Sequence, residues 1–120
     1  MPKQGEIVLI NVPFSNLKSS KKRPVLVVSN NAYNDKQNDI VVAAITSNLS
    51  AKDYTVEFDS NDMTKGTLPK RSCIRADKLY SLDKSLIIKV YGVVSNDIVV
   101  KTRKMIRAVI AKRNTPRKKQ

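Results

Sequence analysis

The sequence contains no histidine, no tryptophan and a single cysteine, Cys73. Each absence excludes something. Without histidine the commonest general acid and base is missing. With one cysteine and no histidine, zinc sites of the usual ligand types are ruled out, and no metal or cofactor is expected. A lone cysteine cannot form an internal disulfide and suits a reducing cytosol. No apolar run approaches the ~20 residues that span a bilayer. The first twelve residues lack the pattern of a signal peptide, so a cytoplasmic protein with no membrane partner is expected. Aromatics are scarce, at 5%. Outside clear core positions that leaves Phe14, Tyr33, Tyr54 and Tyr80 as possible stacking surfaces.

What is abundant is positive charge. Lys and Arg total 23 against 10 Asp and Glu, a net +13. Such a surplus points to a polyanionic partner, or more plainly to a basic, soluble surface. At 120 residues the chain is long enough to bury one core without staples. The pattern predicts a single domain over 1–112 and a basic tail over 113–120 that frays.

The first half reads as strands. "GEIVLINV" (5–12) follows a glycine turn and is rich in β-branched residues. A polar loop over 13–22 follows. "RPVLVVSN" (23–30) and "IVVAAITSN" (40–48) are apolar at nearly every position, so both faces should be covered. "YTVEF" (54–58) alternates, which places Tyr54, Val56 and Phe58 on the core face. "SCIRADK" (72–78) and "LIIKVYGVV" (86–94) complete the set. The period then changes to a helical one. Ile98, Val99, Thr102, Ile106, Val109 and Ile110 form an apolar stripe, with Ser95 as the N-cap and Asp97 in the first turn. Several short strands and one final helix predict a mainly β fold, a small barrel or curled sheet with the helix covering one side.

Four segments in order, "GEIVLINV", "KKRPVLVVS", "VVAAITSN" and "CIRADKLYSLDK", resemble the MazF/PemK family of bacterial toxins, and the run into the final helix, "YGVVSNDIVVKTRKMI", is similar too. The resemblance spans residues 4–111. It implies an SH3-like β-barrel with a C-terminal helix. It also implies a homodimer, blocked by an acidic antitoxin protein, that cuts single-stranded RNA without a metal. The substrate's 2′-hydroxyl attacks, leaving a 2′,3′-cyclic phosphate and a 5′-hydroxyl. Carried onto this chain, the family's catalytic positions fall on Arg23, Thr46, Arg75 and Asp77, with Ser47 beside them. The first loop, "PFSNLKSSKKRP", departs from the family pattern in having neither glutamine nor histidine.

The residue types suit that chemistry. Metal-free phosphoryl transfer needs fixed cations, and guanidinium groups bind phosphate bidentately. Thr46 and Ser47 supply hydroxyl donors. Arg75 and Asp77, two apart on a strand, share a face. Asp77 could take a proton if its surroundings raised its pKa. Phe14 is a candidate for base stacking, and Lys18, Lys21 and Lys22 for general attraction of RNA. Each residue also has a plain reading. Arg75 and Asp77 could be a surface ion pair, Thr46 and Ser47 a strand end, and Arg23 a solvated charge. Two rival functions are also compatible with the sequence: an inactive RNA- or DNA-binding module on the same fold, and a gyrase poison.

Overall fold

The structure is a computed structural model and describes residues 1–13, 20–50 and 52–111. Seven strands form one antiparallel sheet: β1 (Glu6–Pro13), β2 (Ser20–Val27), β3 (Asp39–Thr46), β4 (Thr55–Phe58), β5 (Met63–Gly66), β6 (Ser72–Asp83) and β7 (Ile87–Val94). A short helix α1 (Asn31–Lys36) lies between β2 and β3, and α2 (Asn96–Ile110) closes the described chain. The spatial order is β4-β6-β3-β2-β1-β7-β5. The sheet curls, so both of its faces hold apolar clusters. One face carries Ile7, Leu26, Ala43, Ile45, Phe58 and Ile74 and buries Ile98 of α2. The opposite face carries Val8, Ile10, Val25, Val27, Ile40 and Val42, packed by Leu82 and Ile87. That is why β2 and β3 are apolar at successive positions: neighbouring side chains on a strand point to opposite, and here equally buried, faces.

The mainly β architecture with a C-terminal helix is as expected. Gly5 turns into β1 with φ +94°, and Ser95 caps α2 by accepting from the Ile98 N–H through its hydroxyl. Several readings need correction. Lys21 and Lys22 are on β2, not in a loop, because the β1–β2 hairpin extends to Pro13 and Ser20. Tyr54 is not core. It adopts φ 58° in the turn before β4 and is exposed, so the alternation begins only at Thr55. Val109 and Ile110 are exposed, because among the described residues nothing covers the last turn of α2. α1 and β5 were not anticipated. α1 is a single polar turn and a half held by Asn30, whose side chain accepts from the Tyr33 N–H, so it carries no apolar stripe to read. β5 is four residues on a sheet edge, too short for a clear period. The tail 113–120 lies outside the described residues.

Candidate active site

The antiparallel register assembles the site. Ile10 pairs with Arg23 across β1 and β2, and Val25 pairs with Ala44 across β2 and β3. Continued two residues further, that register sets Arg23 against Thr46. Ala44 in turn pairs with Arg75 on β6. Side chains opposite one another across a ladder share a face, and so do residues two apart. Arg23, Val25, Ala44, Thr46 and Arg75 therefore project from one side of the sheet, at the open end of the Val8–Ile10–Val25 cluster. Together with Lys78, Tyr80 and Leu82 they line a cavity of about 490 Å³. A second cavity, of about 380 Å³, shares Arg23, Pro24, Ile45 and Thr46 with the first and adds Lys22, Ser47, Lys70 and Tyr91. Arg23 and Thr46 thus stand on the wall between two hollows. Among the described residues five cations line the pair, Lys22, Arg23, Lys70, Arg75 and Lys78, and no carboxylate residue does.

The turn after β3 is pre-set by its own side chains. The Thr46 hydroxyl oxygen accepts from the Asn48 N–H at 3.1 Å, and the Asn48 side chain accepts from the Ser50 N–H at 3.0 Å. With its oxygen so engaged, the Thr46 hydroxyl keeps its hydrogen to donate elsewhere. Cys73, the ladder partner of Thr46, is fully buried, and its thiol donates to the Asn48 carbonyl at 3.9 Å. Burial pushes that thiol above its ordinary pKa, so it is a neutral strut under the turn and not a nucleophile.

Arg75 and Asp77 form a bidentate pair, Nε to Oδ1 at 3.0 Å and Nη2 to Oδ2 at 2.9 Å. The sheet is irregular here. Ala43 pairs with Leu79 while Ala44 pairs with Arg75, so Ala76, Asp77 and Lys78 are extra residues in β6. Both oxygens of Asp77 are engaged by Arg75, and this holds the carboxyl below its ordinary value. The guanidinium is shifted up for the same reason. A raised Asp77 pKa, the condition for a general base, is therefore not met; the shift runs the other way. Asp77 also lies outside the lining of both cavities.

The structure thus brings Arg23, Thr46 and Arg75 together, with Ser47 and Lys22 on the second hollow. Lys21 is exposed on β2 and lines neither. Phe14 and Lys18 lie outside the described residues. Lys70, Lys78 and Tyr91 line the cavities without having been singled out from sequence, and Tyr80, one of the four possible stacking surfaces, lines the larger one. Lys78 lies within the insertion in β6 and Tyr80 beyond it, so counting along the strand from Arg75 could not place them. Among the described residues, no three of His, Cys, Asp and Glu gather as a metal-holding group.

Two guanidiniums, a free hydroxyl hydrogen and flanking ammonium groups around paired hollows suit an extended phosphodiester. Residues 3–110 match the family of PemK-like, MazF-like toxins of type II toxin–antitoxin systems. The chain belongs to that family. Solved structures share the fold. One is an endoribonuclease in complex with its cognate antitoxin from Mycobacterial species, at 20% identity and TM-score 0.76, with 98% of this chain and 99% of that one covered. Another is a MazE–MazF complex from Deinococcus radiodurans, at 22% identity and TM-score 0.74, covering 91% and 95%. A second endoribonuclease from Mycobacterial species aligns at 21% identity and TM-score 0.73, covering 91% and 90%. At these identities the likeness concerns the fold. A comparison with curated proteins gives no match. No helix among the described residues is long and apolar enough to cross a membrane.

Proposed function

We propose that this toxin is an endoribonuclease that cuts single-stranded RNA by attack of the substrate's 2′-hydroxyl on the adjacent phosphorus. The bond from phosphorus to the 5′-oxygen breaks, giving a 2′,3′-cyclic phosphate and a 5′-hydroxyl. The observation that carries this reading is the convergence of Arg23, Thr46 and Arg75 on one cavity from three different strands. Arg23 and Arg75 offset the charge that builds on the phosphoryl oxygens, and the Thr46 hydroxyl donates to one of them. Asp77 orients Arg75 by its bidentate pair and takes no proton. The 2′-hydroxyl proton leaves to water, and the departing 5′-oxygen takes one from water. The family membership and the endoribonuclease and antitoxin named for the structural neighbours support the same reading. The cognate inhibitor is an acidic antitoxin attracted by the +13 charge. The working unit is a homodimer in the cytoplasm, with Met105, Val109 and Ile110 of α2 as apolar surface for association.

The test is incubation of the pure protein with a long unstructured RNA in EDTA, followed by mapping of 5′ ends. Discrete cuts bearing 5′-hydroxyls, lost in Arg23→Ala, are expected. Cutting at an undiminished rate in Arg23→Ala overturns the site assignment. A second reading, RNA binding without cleavage, is favoured by one observation: the only acid assigned to the site is already fully engaged. RNA retarded on a gel yet intact would select it.

A further inference from the structure

The two hollows differ in chemistry as well as place. The larger, with Val25, Ala44, Ile45 and Leu82 in its lining, has mainly apolar walls, and the one aromatic ring among its described lining residues, Tyr80, is 50% exposed. Its volume, about 490 Å³, falls in the range of roughly 300–1,000 Å³ of sites that enclose small organic groups. The smaller is flanked by Lys22 and Lys70 and has the exposed Ser47 in its lining, together with Ser72, whose hydroxyl donates to the Lys70 carbonyl at 3.1 Å. It also has a tyrosine, Tyr91, but that ring is taken: Lys89 Nζ sits 5.0 Å from its centroid, and the residue is half-buried. Both hollows carry cations, Arg75 and Lys78 in the larger and Lys22 and Lys70 in the smaller; the larger alone adds an open aromatic face between apolar walls, whereas the ring of the smaller is occupied. Between them stand Arg23 and Thr46.

We infer that the Arg23–Thr46 wall divides the substrate groove into two subsites, in which the Tyr80 hollow stacks the base of one nucleotide flanking the central phosphate and the Lys22–Lys70 hollow holds the next phosphate on the other side. The inference rests on the endoribonuclease reading for the identity of the ligand. A base has a π-face whatever its sequence, so Tyr80 supplies grip for any base, and the shape of the apolar walls around it selects among bases. Lys70 acts as a point charge that adds affinity and no base preference. The two subsites together fix the strand on both sides of the phosphate, which is what an in-line geometry requires.

The experiment measures binding, so it does not depend on cleavage. The probe is a fluorescent single-stranded RNA carrying 2′-deoxyribose at the mapped cut, or at every position if no cut is found, and a set in which each base in turn is removed. Affinities are measured for wild type, Tyr80→Phe, Tyr80→Leu, Tyr80→Ala and Lys70→Ala by anisotropy, with circular dichroism melts as the fold control. For wild type, one abasic position is expected to weaken binding by about 5- to 150-fold, the range of a lost base–aromatic stack. Tyr80→Ala and Tyr80→Leu should weaken the intact probe similarly and abolish the penalty at that one position, while Tyr80→Phe keeps both affinity and penalty. Lys70→Ala should leave the abasic profile unchanged and reduce the slope of log affinity against log salt by about 0.7.

An abasic penalty that is undiminished in Tyr80→Ala at every position overturns the base subsite. So does a Tyr80→Phe variant as weak as Tyr80→Ala, which would mean a hydroxyl contact in place of a stack. An unchanged salt slope in Lys70→Ala overturns the phosphate subsite. Wild-type protein that binds no single-stranded probe overturns both. If the coupling is present while wild type leaves all-ribose RNA uncut in EDTA, the subsites stand and the nuclease reading fails.

Discussion

In the proposed reaction Arg23 and Arg75 offset most of the charge on the phosphoryl oxygens. Arg75 is fixed by two hydrogen bonds to Asp77, and Arg23 lines both hollows from β2. Arg23→Ala is expected to lower the cleavage rate by about 10²- to 10³-fold, the usual cost of removing one fixed charge-stabilising donor. Because Arg23 is exposed, thermal stability should stay within about 0.5 kcal/mol of wild type, measured by circular dichroism. Asp77→Asn should also slow cleavage, by less, because Arg75 remains but loses its fixed orientation. The acid behaviour follows from the same pair. Asp77 is lowered in the fold, so its pairing contributes stability above the ordinary carboxylate value of 3.8, and that contribution is lost as pH falls below it. Asp83, lowered by the Ser85 N–H that donates to it, behaves alike. Cleavage should therefore show no break between about pH 5 and 8 from Asp77, and melts of wild type and Asp77→Asn should converge as pH falls through the lowered Asp77 value. A break near neutrality that disappears in Asp77→Asn would make Asp77 the base after all.

At the scale of elements, the site depends on β6 and on the edge pairing of β5 with β7. β6 is bound by β4 on one side and β3 on the other, and Phe58 of β4 is fully buried against it. Phe58→Ala should cost about 3–5 kcal/mol in a denaturant titration. The β5–β7 pair depends on two glycines facing each other, Gly66 and Gly92. A Cβ on Gly92 would fall on the Lys65 carbonyl oxygen, and one on Gly66, already at φ +76°, on that of Tyr91. Gly92→Ala should release β5 from the sheet. Faster amide exchange over 63–66, with α2 still protected, is the expected result, and unchanged exchange would show that the strands shift to accept the methyl group.

For the whole molecule, the +13 charge governs encounter and not geometry. RNA binding should weaken steeply with salt, at a slope of roughly 0.7 per phosphate neutralised. If Lys22, Arg23, Lys70, Arg75 and Lys78 do most of the neutralising, a titration from low to high salt should give a slope of no more than about 3 to 4. A much steeper slope would place further contacts on the basic face of α2, where Lys101, Arg103, Lys104 and Arg107 lie exposed. Lys101 is partly offset by its pair with Asp97 at 3.2 Å, an exposed contact of small energetic weight.

The sequence by itself determined the strands of the first half, the helix with its Ser95 cap, the burial of Cys73 and the identity of the central phosphate-binding candidates. Those are local properties: β-branched runs, a change of period from two to 3.6, a capping serine, and short motifs in a fixed order. Only the tertiary structure decided which side chains meet. The three extra residues in β6 put Lys78, one of them, and Tyr80, beyond them, in the cavity lining and leave Asp77 outside it, and no local pattern encodes that insertion. The alternation around Tyr54 was misleading because a positive φ turns the chain just before β4. The direction of the Asp77 shift was equally out of reach. Whether a carboxyl two residues from an arginine is desolvated or doubly bonded depends on distances that only the folded chain sets.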